Sequence, residues 1–250
     1  MSEQKDLNIN ERALSLIAHK LRTPLSIING YAEAIGSQAS KEKFSPFTSK
    51  ALEEIHTQGE RMSQLVEKLA AFNQVTTAQK EGFEKQTIAL KALIKNCATA
   101  AIEQEEDIAS ASPLEGDSSV KRGTFVEIDC PETLQLTANE NMLRLCIQEL
   151  LVNAIKFNNK MEKVIKVQVA NHGDCISLSV RDYGTGIRPQ DVTHIFEPFY
   201  QVDDDFTGQV NGWGLGLSMV ERIVELHHGA VSVVSDRGLG SIFTINFPIL

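Results

Sequence analysis

The chain has 250 residues, of which 42% are hydrophobic and 23% charged, enough apolar material for one or two domains with buried cores. Its net charge of −9 is uneven: residues 1–80 carry ten Lys/Arg and nine Asp/Glu (+1), whereas residues 81–250 carry fourteen and twenty-four (−10). The acidic second part argues against a nucleic-acid-binding surface. No apolar stretch reaches the ~18–20 residues of a membrane span. The four cysteines are dispersed along the chain, which indicates a reducing compartment.

The N-terminal part is predicted to form a helical hairpin. Apolar residues recur every seven positions in two stretches separated by the breakers Gly36 and Pro46; they are Leu14, Leu21, Ile28 and Ile35, then Ile55, Met62 and Leu69. Two helices alone cannot cover both apolar stripes. We therefore expect two copies to form a four-helix bundle, which makes the protein a homodimer through residues 10–75.

From about Thr87 the pattern changes to a mixed α/β domain, which gives an α+β chain with domains at 1–80 and 81–250. Alternating apolar residues predict two strand pairs, 163–171 with 175–182 and 231–236 with 241–247, each joined by a glycine-containing turn. Helical patterns cover 90–106, 139–157 and 215–228, and a polar loop covers 110–123.

His19 is the candidate reactive residue of the hairpin. With Leu14 at heptad position a, His19 falls at position f, away from the packing seam, and is predicted to face water. Thr23 lies four residues later on the same outer face. An ordinary exposed histidine fits this spacing equally well, so the spacing leaves the role of His19 open.

Glycine clusters in the second domain predict a phosphate-containing, flat ligand. Gly184 and Gly186 follow a strand and allow a tight turn, and Asp182 beside them offers an acceptor for an exocyclic amine. A second cluster, Gly212, Gly214, Leu215, Gly216 and Leu217, opens the predicted helix 215–228, where free N–H groups and the helix dipole favour an anion. Each cluster alone is weak, because a bare G-x-G is usually a turn.

Three polar residues share one face of the predicted helix 139–157. Glu149, Asn153 and Lys156 are three to four residues apart, so their side chains lie on the same side. An amide oxygen suits Mg²⁺, and a lysine suits phosphate. The alternative is a solvated helix face.

In this order the motifs resemble those of the sensor histidine kinases of two-component signalling. The similar segments are AHKLRTPLSIINGYAEAI (phosphoacceptor box), ELLVNAIKF (N box), VRDYGTGI (first glycine box), IFEPFYQ (phenylalanine box), GWGLGLSMV (second glycine box) and GLGSIF (terminal box). The resemblance covers nearly all of residues 10–250. It implies a dimerisation and phosphoacceptor hairpin followed by an ATP-binding sandwich of the gyrase type, a mixed sheet covered on one face by helices.

The resemblance also implies roles for individual residues. His19 would be phosphorylated from ATP, and Asn153 would hold Mg²⁺ while Lys156 contacts phosphate. Asp182 would bind adenine. Ser241 replaces the threonine of the terminal box. Thr23 would orient water in the dephosphorylation of a response regulator, the partner whose aspartate receives the phosphate.

Lys20 departs from the family pattern, which usually has an acid directly after the histidine. An ammonium cannot accept the imidazole proton, although it can attract phosphate. An ATP-binding but catalytically weak or silent signalling partner is therefore an alternative. A gyrase-like ATPase with Glu149 as general base is a further one, which leaves the hairpin unexplained. We expect a cytoplasmic protein, or the cytoplasmic part of a longer or membrane-associated sensor.

Overall fold

The computed structural model describes residues 20–21, 23–24, 26–28, 30–31, 35, 45–79, 83–111, 123–202 and 212–249. The chain divides into two compact units, residues 1–73 and 74–250. In the first unit, the described residues between 20 and 35 are all helical and are labelled α1. The second helix, α2, runs over Pro46–Thr77.

Helix α2 begins where the sequence caps it. The Oγ atom of Ser45 accepts a hydrogen bond from the Thr48 backbone N–H at 3.2 Å, which satisfies one of the free N–H groups of the first turn. Pro46 is the first helical residue, the position at which its missing N–H costs no helix hydrogen bond. The helix bounds are thus fixed locally. Along the described parts of the chain, no helix combines the length and the apolar character needed to cross a membrane.

Helix α2 has two apolar sides with different burial. One side is buried and includes Ala51 and Leu65. The other, which we call the α2 seam, follows the 3-4 spacing of a heptad and consists of Leu52, Ile55, Gly59, Met62, Val66 and Leu69. Within it Leu52 is 42% and Val66 57% exposed. The predicted second stripe is therefore helical, and in a single chain it is only partly covered.

The described residues of the second unit form seven strands and three helices. In chain order they are β1 (Gln86–Ala89), α3 (Leu90–Ala111), β2 (Gly123–Asp129), β3 (Gln135–Ala138), α4 (Glu140–Lys156), β4 (Glu162–Asn171), β5 (Cys175–Arg181), α5 (Gly216–Leu226), β6 (Ala230–Asp236) and β7 (Gly240–Pro248). Strands β1 and β3 form a two-stranded antiparallel sheet. The other five form a mixed sheet in the order β2-β4-β5-β7-β6, in which only the β2–β4 pair is parallel.

Alternation along the strands puts one face of the large sheet into the core. In β4, Ile165 and Val167 are fully buried, and the register places Val167 opposite Val180 of β5. The three helices α3, α4 and α5 pack on strands of this sheet. The expected mixed sheet with a helical layer is confirmed.

Three strands, β1, β2 and β3, were not among the predicted ones. β1 and β3 have only four residues each, too few for a period to show. In β2 the inward-facing Val126 and Ile128 alternate with an outward-facing Phe125 that is 55% exposed, which blurs the apolar-polar pattern. The predicted hairpin of 163–171 with 175–182 is confirmed, with Gly173 at φ +91° in the turn between β4 and β5.

All four cysteines are free. Cys97, Cys130 and Cys146 are buried, and Cys175 is half-buried. Burial raises the pKa of Cys97 to about 11, although the charge of Arg144 opposes this. Burial also raises the pKa of the Cys146 thiol, which lies on α4. These thiols therefore act as small apolar groups.

Candidate functional site

The first glycine loop starts with a buried carboxylate at the end of β5. Asp182 is 4% exposed, and its Oδ1 atom accepts the Gly184 backbone N–H at 2.8 Å. Burial raises the pKa of Asp182, while hydrogen bonds from Gly184 and Ser241 act in the opposite direction. A carboxylate that is shielded from water in this way is an acceptor for an amino group of a ligand.

The same loop is docked on the end of α4. The Thr185 backbone N–H donates to the Phe157 carbonyl oxygen at 3.0 Å. A Cβ atom on residue 184 would overlap that carbonyl, so Gly184 is required by the close approach of the two backbones. Gly186 has φ +65°, and its Cβ position is filled by the Asp236 carbonyl of β6. Glycines thus let the loop fit between α4 and β6.

Ser241 lies beside this carboxylate in a small hydroxyl network. It is 5% exposed, and its backbone carbonyl accepts the Asp182 N–H at 2.9 Å. Its Oγ atom lies 2.9 Å from the Oγ atom of Ser235, which in turn accepts the Ile187 N–H at 2.8 Å. Ser235 was missed by the sequence reasoning, because a serine in an alternating strand carries no signal of its partner.

The polar face of α4 meets the second glycine loop. A Cβ atom on Gly216 would overlap the Glu149 Oε2 atom and lie 3.8 Å from the Asn153 Nδ2 atom. A Cβ atom on Gly212 would lie 2.5 Å from the Lys156 Nζ atom. The structure therefore brings together all three predicted α4 residues and the predicted loop. Glycine keeps open the space in front of these charged and polar groups.

The second loop leads directly into the N-terminus of α5. Leu215 is the N-cap residue, and no side chain caps the helix there. Its side chain is fully buried, whereas Leu217 is half-buried. The free N–H groups of a first helical turn and the helix dipole attract an anion. The loop thus places an uncapped helix N-terminus, which attracts anions, opposite a lysine.

One backbone and one side-chain hydrogen bond hold the start of this loop. The Phe199 N–H donates to the Gly214 carbonyl at 2.7 Å, and the Gln201 Nε2 atom donates to the Gly212 carbonyl at 2.9 Å. A Cβ atom on Gly214, which has φ +68°, would lie 2.6 Å from the Tyr200 carbonyl. Gln201 and Tyr200 were not predicted as site residues. Their place in the segment IFEPFYQ, which resembles the phenylalanine box, was the available signal.

The residues present fit a Mg²⁺ ion. The carboxylate of Glu149 and the amide of Asn153 supply the oxygen atoms that this hard cation prefers. The Glu149 Oε2 atom lies against the Cβ position of Gly216, and the Asn153 Nδ2 atom lies 3.8 Å from it, so a half-turn of the amide would bring the Asn153 oxygen to the same side. Phosphate oxygens of a nucleotide at the loop would complete such a coordination shell.

The predicted phosphoacceptor His19 lies outside the described residues. Its neighbours Lys20 and Thr23 are helical in α1, with Lys20 half-buried and Thr23 exposed. Lys20 takes part in an interaction within the protein. An exposed hydroxyl one helical turn from position 19 agrees with the outer face expected from the heptad.

Two family models match the chain. Residues 9–77 match the His Kinase A (phospho-acceptor) domain, and residues 138–250 match the histidine kinase-, DNA gyrase B-, and HSP90-like ATPase. The first match contains His19, and the second contains both glycine loops and the polar face of α4.

Curated relatives match over nearly the whole chain. The phosphate regulon sensor protein PhoR of Haemophilus influenzae is 28% identical over 242 residues, which are 97% of this chain and 52% of the relative. The sensor histidine kinase RppB of Synechocystis is 30% identical over 235 residues, which are 93% of this chain and 47% of the relative. The chain spans about half the length of these two relatives.

Solved structures share the fold. The histidine kinase ThkA, in a crystal structure with the response regulator protein TrrA, matches with a TM-score of 0.71 and 21% identity over 98% of this chain and 63% of that one. Full-length ShkA in complex with AMPPNP matches with a TM-score of 0.60 and 22% identity over 95% and 45%.

Proposed function

Because the chain belongs to the histidine kinase family, we propose that it transfers the γ-phosphoryl group of ATP to a ring nitrogen of His19. The observation that carries this proposal is the contact of the second glycine loop with Glu149, Asn153 and Lys156 on α4. A phosphate chain at the N-terminus of α5 would meet the Lys156 ammonium. We propose the two domains 1–80 and 81–250 as the phosphoacceptor and nucleotide-binding parts.

Asp182 would select the adenine end of the nucleotide. Its buried carboxylate would accept the exocyclic amine, with Ser241 beside it to bind or to hold a bridging water. Gly184 and Gly186 keep the loop backbone close to α4 and β6, which fixes the loop beside the Asp182 carboxylate. The two glycine loops would thus bind opposite ends of ATP.

The chemical step depends on position and charge. The lone pair of a His19 ring nitrogen attacks the γ-phosphorus, the bond to the β,γ-bridging oxygen breaks, and ADP leaves with that electron pair. The ring proton passes to solvent or to a nearby base. Lys156 would offset the charge of the phosphates, and bound Mg²⁺, held through Asn153 and Glu149, would neutralise charge across them.

The α2 seam supports a homodimer. Its apolar residues are partly exposed in one chain and follow the heptad spacing that two helices need to pack against each other. A second copy would cover them and complete a four-helix bundle.

The phosphoryl group would then pass to an aspartate of a response regulator. The exposed hydroxyl of Thr23, one turn from His19, is suited to orient water on that phosphoaspartate in the dephosphorylation of the regulator, which releases inorganic phosphate. We place both steps in the cytoplasm, which the four unpaired cysteines support.

Radiolabelled ATP tests the proposal. With [γ-³²P]ATP and Mg²⁺ the protein should gain acid-labile, base-stable label, the behaviour of phosphohistidine. The label should vanish in His19→Gln, while ATP binding by that variant stays within about twofold of the wild type. Label that persists in His19→Gln would contradict the assignment, as would rapid phosphate release without any labelled protein.

Lys20→Glu tests the departure from the family pattern in the same assay. If the missing acid limits the reaction, the labelling rate should rise about tenfold or more, within the range of general base catalysis. An unchanged or lower rate would mean that Lys20 itself contributes to the reaction. Tight ATP binding without any label in either protein would favour the catalytically silent signalling partner.

A further inference from the structure

The segment between the two glycine loops contains a buried carboxylate with two partners. Asp191 is 4% exposed, and its backbone carbonyl accepts the N–H groups of His194 and Ile195 in a tight turn. Its Oδ2 atom accepts a hydrogen bond from Arg188 Nε at 2.6 Å, and its Oδ1 atom accepts one from the Tyr200 hydroxyl at 2.8 Å. Both carboxylate oxygen atoms of Asp191 therefore accept a hydrogen bond within the protein.

The charge of Asp191 is stabilised by these partners. The hydrogen bonds from Arg188 and Tyr200 lower the pKa of the Asp191 carboxyl. The same contact raises the pKa of the Tyr200 hydroxyl. At neutral pH the pair is therefore a charge-assisted hydrogen bond, which is stronger than a neutral one.

Tyr200 connects this carboxylate to the second glycine loop. Its carbonyl and the backbone of Phe199 lie 2.6 Å from the Cβ position of Gly214. Phe199 has φ +65°, a conformation that is rare for a bulky residue and has to be held by its surroundings. The tyrosine ring is held at its tip by Asp191, and its backbone lies on the loop.

The second glycine loop in turn lies against the residues of α4 that are proposed to bind Mg²⁺ and phosphate. Two residues on from Gly214, Gly216 is in contact with Glu149, and two residues before it, Gly212 is in contact with Lys156. These contacts are tight because no side chain separates them. A shift of the Phe199–Tyr200 backbone would therefore change the position of both glycines relative to α4.

We propose that Asp191 is a positioning residue that sets the second glycine loop for binding of the ATP phosphates through its hydrogen bond to Tyr200. This inference rests on the proposed function. Asp191 contacts neither glycine loop directly in the described structure; it acts through the tyrosine. We expect Asp191 to affect binding of the phosphates and not of the adenine, because Asp182 and Ser241 at the adenine end are held by their own hydrogen bonds.

Separate measurements of ATP and adenosine binding test this role. Asp191→Asn and Tyr200→Phe each weaken or remove the charge-assisted bond with little change in shape. Each should weaken ATP binding, measured by titration calorimetry with Mg²⁺, about tenfold. Adenosine, which lacks phosphates, should bind each variant within about twofold of the wild type. The double variant should lose little more than either single one, since both changes act on one bond.

Glu197→Gln is the matched control. Glu197 lies in the same segment, is exposed and pairs with His194, so its replacement removes a negative charge but neither partner of the Asp191–Tyr200 bond. It should bind both ligands as the wild type does.

Three results would overturn the inference: unchanged ATP binding in both variants, an equal loss of ATP and adenosine binding, or additive losses in the double variant. Wild-type protein that binds adenosine but not ATP would instead contradict the proposed function.

Discussion

The two units of the chain reach stability in different ways. The α/β unit buries its own core, in which residues such as Ile147, Ile165 and Ile223 are fully covered. The helical unit leaves one side of α2 only partly covered, with Leu52 and Val66 about half exposed. One unit is complete as a single chain, and the other presents an apolar surface that fits a second copy.

This difference suggests a division of tasks. A complete core keeps the nucleotide loops in fixed positions, since close-packed interiors transmit small shifts. A unit that depends on a partner can respond to how that partner is arranged. Changes that break the helical unit should therefore alter assembly, and changes that break the α/β unit should alter nucleotide binding and folding.

The largest effect is expected from charges on the α2 seam. Leu52→Lys combined with Val66→Lys would place four ammonium groups in the interface of a dimer. Burying them is costly, so the dimer dissociation constant should rise at least about a hundredfold. Sedimentation velocity at micromolar concentration measures this as a change from dimer to monomer.

Gln64→Lys is the control for this change. It adds the same charge on an exposed position of α2 away from the seam, and should leave the dimer intact. ATP affinity should stay unchanged in all of these variants, because the nucleotide loops lie in the other unit. A seam variant that remains dimeric would show that the two copies meet elsewhere.

The second-largest effect is expected from a substitution inside the α/β unit. Gly184→Ala would put a methyl group onto the Phe157 carbonyl, so one of two backbone segments has to move. We expect the free energy of unfolding to fall by about 3 kcal/mol. Urea denaturation followed by the fluorescence of Trp213, the single tryptophan, measures this unit.

Gly173→Ala is the control that separates the cost of steric overlap from the cost of a left-handed backbone conformation. Gly173 has φ +91° but nothing within 4 Å of its Cβ position. Its replacement should cost about 1 kcal/mol, the strain of a left-handed residue alone. Equal losses for both alanine variants would argue against the contact between the first glycine loop and α4.

The smallest effect concerns pH and His227. Its Nε2 atom accepts the Asn139 N–H at 3.1 Å, and its Nδ1–H donates to the Ile223 carbonyl at 2.8 Å, so the neutral ring fits. Burial chiefly lowers the pKa of His227, and the charges of Lys85 and His228 add to this. The unfolded chain therefore binds the proton more readily than the folded one.

The free energy of unfolding of the α/β unit should therefore fall as the pH drops below the unfolded histidine value of about 6.5. Between pH 7 and pH 5 the fall should be steeper in the wild type than in His227→Gln, measured by the fluorescence of Trp213. His228→Asn, a change at the exposed neighbour, should alter the slope much less than His227→Gln does, because burial is the largest cause of the shift at His227. Parallel curves for the wild type and His227→Gln would contradict the neutral, buried ring.

The regular elements of the site were predictable from the sequence. Helix α4 was expected over 139–157 and covers Glu140–Lys156, because Asn139 caps it by accepting the Met142 N–H. The shared face of Glu149 and Asn153 followed from the helical period alone. Capping and helical periodicity thus predict where a residue lies on its own helix.

Contacts between elements were not predictable in the same way. The overlap of the Gly216 Cβ position with Glu149 joins residues far apart in sequence, and no period encodes it. The Asp191–Tyr200 bond spans nine residues of irregular backbone, where side-chain directions follow from tertiary packing. The sequence thus indicated several residues of the candidate site, but neither their partners Ser235 and Tyr200 nor how tightly the loops close on α4.

The state of the cysteines has a practical consequence for spectroscopy. Three thiols are buried, and only Cys175 is partly open to solvent. Maleimide reagents react with accessible thiolates, so Cys175→Ser should give a nearly unreactive background without disturbing the core. A single cysteine introduced on the exposed side of α2, for instance at Gln64, could then carry a spin label. Distances between such labels in two copies would report directly on the bundle.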